Sequence, residues 1–281
     1  MRVLVIIVTY NAMQWVDRCI GSALDAGEGK TEVDVFVADN CSKDGTPDWI
    51  EENFPDVKLV RNQENLGFGA ANNIGLRYAI ENGYDYAYLL NQDAWLLPGA
   101  MTELVAAAGK GRRYAILSPL QMQADGFSYD PLFGKRNAPS EERRKPYRVR
   151  RVMAAHWLVR LSALRKTGLF APIFEHYGED DNLCDRLRAS GWKIGVVPKA
   201  KAVHDRAWRK EPMEVIIRRN YYVKSLVDLC NPNYPLWFQW VRVFLYTQVK
   251  AVKYRSLEPF RYWRILCGQK AGILRTREMK M

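Results

Sequence analysis

The chain has 281 residues, 48% hydrophobic and 26% charged, enough for one large core or two modest ones, which excludes a disordered or fibrous protein. Its net charge of +11 directs attention to polyanions: nucleic acid, a phosphate-bearing ligand or an anionic membrane. The excess is local, because residues 1–204 hold 26 basic and 25 acidic side chains whereas residues 205–281 hold 16 and 6. That tail also carries 13 of the 34 aromatics, too many large apolar groups for an unfolded basic arm, so it should fold or dock.

Met1 to Val8 resembles a signal peptide only briefly; the apolar run stops at Thr9 with no small-residue cleavage site, and it reads as a first strand. Val3–Val8, Val33–Ala38, Val57–Val60 and Tyr86–Leu90 are continuous apolar runs of the kind buried on both faces of a parallel sheet. Between them Trp15–Leu24, Thr46–Asn53 and Ala70–Ile80 have helical spacing, so the chain is predicted to be α/β and doubly wound, with ligands beyond the carboxyl ends of the strands. Ala115–Ser118 is a fifth strand. Gly126–Tyr147 is rich in Pro, Gly and Arg without periodicity and reads as a long surface loop; the basic run Arg143 to Arg151 reads as a solvated face. A strand near Val152–Arg160, a helix near Ser162–Thr167, a helix over Asn182–Ser190 closed by Gly191, and a strand over Lys193–Val197 follow. Beyond Pro212 the pattern changes to amphipathic helices near Met213–Leu229, Tyr234–Tyr254 and Pro259–Gln269. Pro235–Val252 is the nearest approach to a bilayer span, but Gln239, Arg242, Gln248 and Lys250 interrupt it. Five scattered cysteines without a CxxC pair suggest neither a disulfide framework nor a zinc knuckle, and fit a reducing cytoplasm.

Chemistry-bearing residues stand at the strand ends. VTYN (Val8–Asn11) ends strand one and VADNCSKDGT (Val37–Thr46) ends strand two; Asp39 and Asn40 either meet a nucleobase edge or cap the helix at Thr46. NLGFGAANNIG (Asn65–Gly75) lacks the third glycine of a dinucleotide fingerprint and follows strand three, so it is no nicotinamide or flavin site, although its glycines admit close backbone approach. LLNQD places Asp93 just past strand four, suited to Mg²⁺ or Mn²⁺ bridging phosphates, or else to a turn. Glu179, Asp180 and Asp181 open a helix without a sequence-adjacent cation; they either complement its dipole or supply a general base. His204, one of three histidines, ends an apolar strand and is either structural or a metal ligand.

Together VTYN, VADNCSKDGT, LGFGAANNIG, LLNQD, GEDDNLCDRLRASGWKIG and AVH (Ala202–His204) resemble glycosyltransferase family 2, in particular its bacterial rhamnosyltransferase-like branch. The resemblance covers residues 1 to about 204, weakens over the tail and implies a GT-A fold, to which the charge and helical spacing add a basic helical extension at 205–281. It implies that Thr9, Tyr10, Asn11 and Asp39 hold the base and ribose of a nucleotide sugar, and that Asn65, Gly67 and Asn73 line its cleft. The family's DxD motif falls on Asn91, Gln92 and Asp93, leaving Asp93 as metal ligand with His204 in the metal shell. Asp180 becomes the catalytic base beside Glu179, with Asp181 a rival, since Asn182 stands where many members have a further acid. His156 and Trp157 are expected on the acceptor side, although Trp157 also suits the core.

What the resemblance implies is a metal-dependent inverting transferase using Mn²⁺ or Mg²⁺. Its donor is a UDP- or dTDP-sugar, not separable at Asp39 because uracil and thymine present the same edge. Its acceptor is a glycan or polyprenyl-linked hydroxyl at the inner face of a cell membrane. The tail then reads as an anionic-membrane address or a homodimer element, because its apolar spacing around Trp237, Trp240, Val241, Phe244 and Leu245 suits an interface helix better than nucleic acid, and no nucleic-acid partner is expected. A catalytically silent nucleotide-sugar binder and a nucleotidyltransferase are the remaining alternatives; the latter calls for a basic Gly-rich loop after strand one, which VTYNAMQW lacks.

Overall fold

A computed structural model describes every residue except 28, 30, 142, 206–214, 216 and 281. The four expected strands are β1 (Arg2–Thr9), β2 (Glu32–Asp39), β3 (Lys58–Arg61) and β4 (Tyr86–Asn91), separated by α1 (Val16–Leu24), α2 (Thr46–Asn53) and α3 (Gly67–Glu81). They pair in parallel in the order β3-β2-β1-β4, which sets Thr9 beside Asp39 and Val8 beside Asn91 at one mouth. The strands are apolar at successive positions because both faces are covered. Leu4 and Ile6 pack with Phe36, Leu76 and Leu183 on one side, while Val3, Val5 and Ile7 pack with Ile20, Ala23 and Leu104 on the other.

The chain continues through β5 (Ala94–Leu96), α4 (Ala100–Lys110), β6 (Tyr114–Met122), α5 (Pro131–Asn137), β7 (Tyr147–Val149), β8 (His156–Arg160), α6 (Leu161–Thr167), α7 (Glu179–Ala189) and β9 (Lys193–His204). Here the sheet is mixed: β8 runs antiparallel to β4 and β6, β9 parallel to β6, and β5 antiparallel to β9. Three expectations need correction. Residues 126–147 are not all loop, since Asp130 accepts hydrogen bonds from the Leu132 and Phe133 amides and, with Pro131 in the first turn, starts α5. The strand expected from Val152 begins only at His156, and the one expected to end at Val197 continues to His204.

In the tail a π-helical turn (Arg218–Val223) runs into α8 (Lys224–Leu229), followed by α9 (Leu236–Tyr254), α10 (Glu258–Gly268) and α11 (Lys270–Arg277). The start of the helix expected from Met213 lies outside the described residues. Val223, Leu226, Val227, Val243, Leu266 and Ile273 form one apolar cluster with Ala171 and Phe174, so the tail packs on the segment that precedes α7. Arg277 ties its far end back by donating to the carbonyls of Leu229, Asn231 and Tyr234. Among the described residues no helix is long and apolar enough to cross a membrane. The five cysteines are unpaired, and Cys19, Cys184 and Cys230 are buried.

Candidate active site

The ends of β1 and β2 are knitted into one polar wall. Thr9 and Asp39 are both 1% exposed, and the Thr9 hydroxyl donates to Asp39 Oδ1 at 2.8 Å. The Ser42 amide and hydroxyl donate to the same carboxylate at 2.9 and 2.5 Å, and the Asn11 amide donates to Ser42 Oγ. Asn11 (φ 52°) accepts at its side-chain Oδ1 from the Lys43 amide. Neither Asp39 nor Asn40 caps α2, whose first turn follows the left-handed Gly45 with no side-chain cap; Asn40 instead accepts from Asn62 and donates to the Gly67 carbonyl. The capping reading of Asp39 and Asn40 is therefore excluded.

A second group lies just past β4, where β5 pairs with the end of β9. Gln92 is clamped to Tyr10, accepting from its amide at 2.6 Å and donating to its carbonyl at 3.2 Å. The β5–β9 pairing sets Ala94 opposite His204, which brings His204 Nε2 to 3.5 Å from Asp93 Oδ1. On its other side His204 Nδ1 stands 3.3 Å from Asp130 Oδ2. Among the described residues no three His, Cys, Asp or Glu side chains converge to enclose a metal. A carboxylate and an imidazole side by side at a strand mouth are a partial ligand set, of the sort that substrate phosphates complete around a divalent cation.

The third group is the start of α7. Glu179 is 6% exposed, its Oε2 buried without a hydrogen-bond partner, and burial followed by the neighbouring Asp180 charge raises its pKa. Burial and then the Asp181 charge raise Asp180 to about 6, partly offset by hydrogen bonds from the Asp181 and Ala154 amides. The next residue along, Ala155, accepts at its carbonyl from the Asn91 amide, so 154–155 braces both the Asp180 and the Asn91–Asp93 sides of the mouth. Asp181 is different, because Arg151 Nη1 lies 3.4 Å from its Oδ2. Asn182 is fully buried and accepts from Arg186 Nε at 2.9 Å, while the same guanidinium donates to the Thr167 and Leu169 carbonyls at the end of α6. Burial lowers Arg186 to about 10.

A profile described as Glycosyl transferase family 2 matches residues 4–168, more than half the chain. The chain belongs to glycosyltransferase family 2. It is 31% identical over 234 residues to the N-acetylglucosaminyl-diphospho-decaprenol L-rhamnosyltransferase of Mycobacterium tuberculosis, covering 72% of this chain and 76% of that one. A shorter match, 34% over 110 residues, covers 38% of this chain and 44% of the undecaprenyl-phosphate mannosyltransferase of Micrococcus luteus. Among solved structures, S. aureus TarS 1–349 superposes with a TM-score of 0.65 at 16% identity over 98% of this chain and 81% of its own. GalNAc-T7, crystallised with UDP, GalNAc and Mn²⁺, gives 0.62 at 18% identity over 84% of this chain, which spans about half (52%) of that longer protein. These likenesses establish the GT-A fold and the rhamnosyltransferase-like membership.

In this glycosyltransferase Asn65, Gly67 and Asn73 line one cleft of about 920 Å³ with Phe170, Glu175 and His176. Asn65 accepts from the Gly67 amide, and Asn73 spends both ends of its amide on the Phe170 backbone, so its side chain holds the cleft wall together. His156 and Trp157 are corrected: both are fully buried, with Trp157 in the core and His156 between the Tyr88 hydroxyl and the Val203 carbonyl, each at 2.9 Å. They face no acceptor because β8 is a central strand covered on both sides. Arg151 is likewise no part of a solvated face, since it pairs with both Asp181 and the fully buried Asp185. Sequence reading passed over Arg151 as a partner because it lies 30 residues from Asp181. Asp130 was also passed over, although an Asp before Pro and an apolar pair is a legible helix start.

Proposed function

We propose that this family 2 member is an inverting glycosyltransferase that moves a sugar from a UDP- or dTDP-sugar, rhamnose-like or hexose, to a hydroxyl of a lipid-linked or surface-polysaccharide acceptor. The observation that carries this reading is that adjacent residues reach both groups: the Ala154 amide donates to Asp180, and the Ala155 carbonyl accepts from the amide of Asn91, two residues before the Asp93 that faces His204. An activating carboxylate and a phosphate-side cation site thus share one mouth. The names of the mycobacterial and micrococcal relatives, both acting on polyprenyl carriers, support the acceptor class.

Thr9, Tyr10, Asn11 and Asp39 would hold the base and ribose, and Asn65, Gly67 and Asn73 the cleft beside them. Asp93 and His204 would hold Mn²⁺ or Mg²⁺, which when bound offsets the negative charge on the departing nucleoside diphosphate. Asp180 takes the proton of the acceptor hydroxyl as its oxygen attacks the anomeric carbon opposite the leaving group, and this single displacement inverts configuration. Glu179, buried and raised, stays protonated at neutral pH and spares Asp180 a second adjacent anion. The test is a panel of nucleotide sugars with polyprenyl-diphosphate-linked N-acetylglucosamine as acceptor, with and without chelator. Chelator-sensitive transfer giving the inverted anomer is expected; retained anomeric configuration or chelator-insensitive transfer overturns the mechanism.

We assign residues 1–204 to the transferase domain and 205–281 to an extension that rests on the anionic inner leaflet. Trp237, Val241, Leu245, Val249 and Val252 are exposed along one face of α9, Trp237 by 70% and Val252 by 79%; Lys253 flanks the stripe, while Arg242 pairs with Asp228. This helix carries no acidic residue, so its charge complements anionic headgroups while the apolar stripe enters the acyl boundary. Co-sedimentation with phosphatidylglycerol vesicles, weakened by salt and abolished by Trp237→Glu with Val249→Glu, is the expected result. Binding unchanged by that pair, or a dimer in solution that the pair dissociates, assigns the face to another role.

A further inference from the structure

We propose that Asp130 is a positioning residue that fixes His204 in the tautomer protonated at Nδ1, keeping the Nε2 lone pair turned toward Asp93 for a divalent cation. This rests on the reading that Asp93 and His204 hold that cation, and adds the group that makes His204 competent to do so.

The two oxygens of Asp130 face different groups. Oδ1 accepts the Leu132 and Phe133 amides at 2.8 and 3.0 Å, the N-terminal cap of α5. Oδ2 lies 3.3 Å from His204 Nδ1. Both residues are buried, with side chains 1% and 3% exposed, so water does not compete for the contact. The backbone is pinned as well: the Asp130 amide donates to the Gln121 carbonyl, and Tyr129 bridges to Met122, anchoring this corner to β6. On the far side the imidazole is held by the β5–β9 register, which leaves Nε2 3.5 Å from Asp93 Oδ1. A neutral imidazole carries one proton on its two nitrogens. A carboxylate facing Nδ1 holds a proton there, so that when Asp93 and Nε2 turn to a cation the ring gives up the Nε2 proton and keeps the one at Nδ1, the arrangement by which a carboxylate behind a ligating histidine orients it.

Asp130→Asn separates the two tasks of this side chain. Its retained carbonyl oxygen still caps α5, Asn being as good a cap as Asp, while its NH₂ replaces Oδ2. A donor facing Nδ1 moves the imidazole proton to Nε2 and blocks that lone pair. Long-range ¹H–¹⁵N spectra of the metal-free wild-type chain should show a proton on His204 Nδ1, whether or not Nε2 facing Asp93 carries one too, and those of Asp130→Asn a proton at Nε2 alone. Titration of Mn²⁺ in the presence of UDP or dTDP should show a loss of about 10–100-fold in Asp130→Asn, matching His204→Ala, with metal-free nucleotide binding unchanged. A wild-type His204 with no proton at Nδ1 overturns the proposal without any variant. Wild-type Mn²⁺ affinity in Asp130→Asn, while Asp93→Ala and His204→Ala both lose it, overturns the proposal and leaves the cation reading standing. Unchanged Mn²⁺ affinity in Asp93→Ala and His204→Ala removes the cation reading, and the proposal with it.

Discussion

Arg151 Nη1 lies 3.4 Å from Asp181 Oδ2, and this contact separates two carboxylates that are neighbours in the chain. Asp181 has the Arg151 guanidinium against it, whereas Asp180 accepts backbone amides from Asp181 and Ala154 and is raised by burial in spite of the Arg136 charge. The guanidinium occupies an oxygen of Asp181, whereas burial keeps Asp180 a stronger base than an exposed carboxylate. Asp180→Asn is therefore expected to lower kcat by about 10²–10⁴-fold with donor affinity preserved, and Asp181→Asn by only a few-fold. Steady-state kinetics with nucleotide-sugar binding measured separately decides the matter; the reverse order of effects transfers the role to Asp181.

The same environment sets the pH profile. Asp180 must be ionised to take a proton, and burial has lifted it to about 6, so kcat at saturating Mn²⁺ should rise with pH through that value and level off above it. The adjacent Asp181 charge is the second cause of the elevation. Asp181→Asn should then shift the acid limb to lower pH, while Asn182→Ala should not. An acid limb that stays in place in Asp181→Asn would show that another group controls it.

Gly178 couples the tail to the acid cluster. It adopts φ 91° immediately before Glu179, and a Cβ there would lie 2.8 Å from both Val223 Cγ1 and Val227 Cγ2. Gly178→Ala therefore meets a left-handed backbone and an occupied space at once, and should cost about 2–4 kcal/mol in urea unfolding. Val227→Ala removes one of the two contacts. The double variant should recover part of the packing loss but none of the backbone strain, giving a non-additive cycle. Simple additivity would mean that α7 shifts as a body away from the tail.

The parallel half of the sheet was legible because strands buried on both faces must be apolar at every position, as Val3 to Ile7 are. The polar residues at those strand ends were legible for the same reason: Thr9, Asp39 and Asp93 each interrupt or follow such a run. What periodicity could not carry was anything short or long-range. The three-residue β5 is too brief to show a period, yet its pairing with β9 is what brings Asp93 to His204. Asp130 and Arg151 act on residues 74 and 30 positions away, and only the mixed half of the sheet makes them neighbours. His156 misled because polarity in a central strand reads as exposure, whereas here two buried hydrogen bonds compensate it.

That compensation gives His156 a signature in stability. Its Nδ1 accepts from the Tyr88 hydroxyl and its Nε2–H donates to the Val203 carbonyl, an arrangement that needs the neutral ring. Burial lowers its pKa from 6.5 to about 3. Above pH 6.5 the ring is neutral in folded and unfolded chains alike, and its stabilising contribution is fully present. As pH falls from 6.5 toward 3 the unfolded chain takes up a proton that the folded one refuses, and stability drops by about 1.4 kcal/mol per pH unit from this group alone. His156→Gln keeps an acceptor and a donor but cannot titrate. It should be less stable than wild type at pH 7.5, because the amide fits the imidazole space imperfectly, and lose less on acidification. Urea midpoints measured from pH 7.5 to 4 should therefore converge for the two proteins; parallel curves would show that His156 is protonated in the fold.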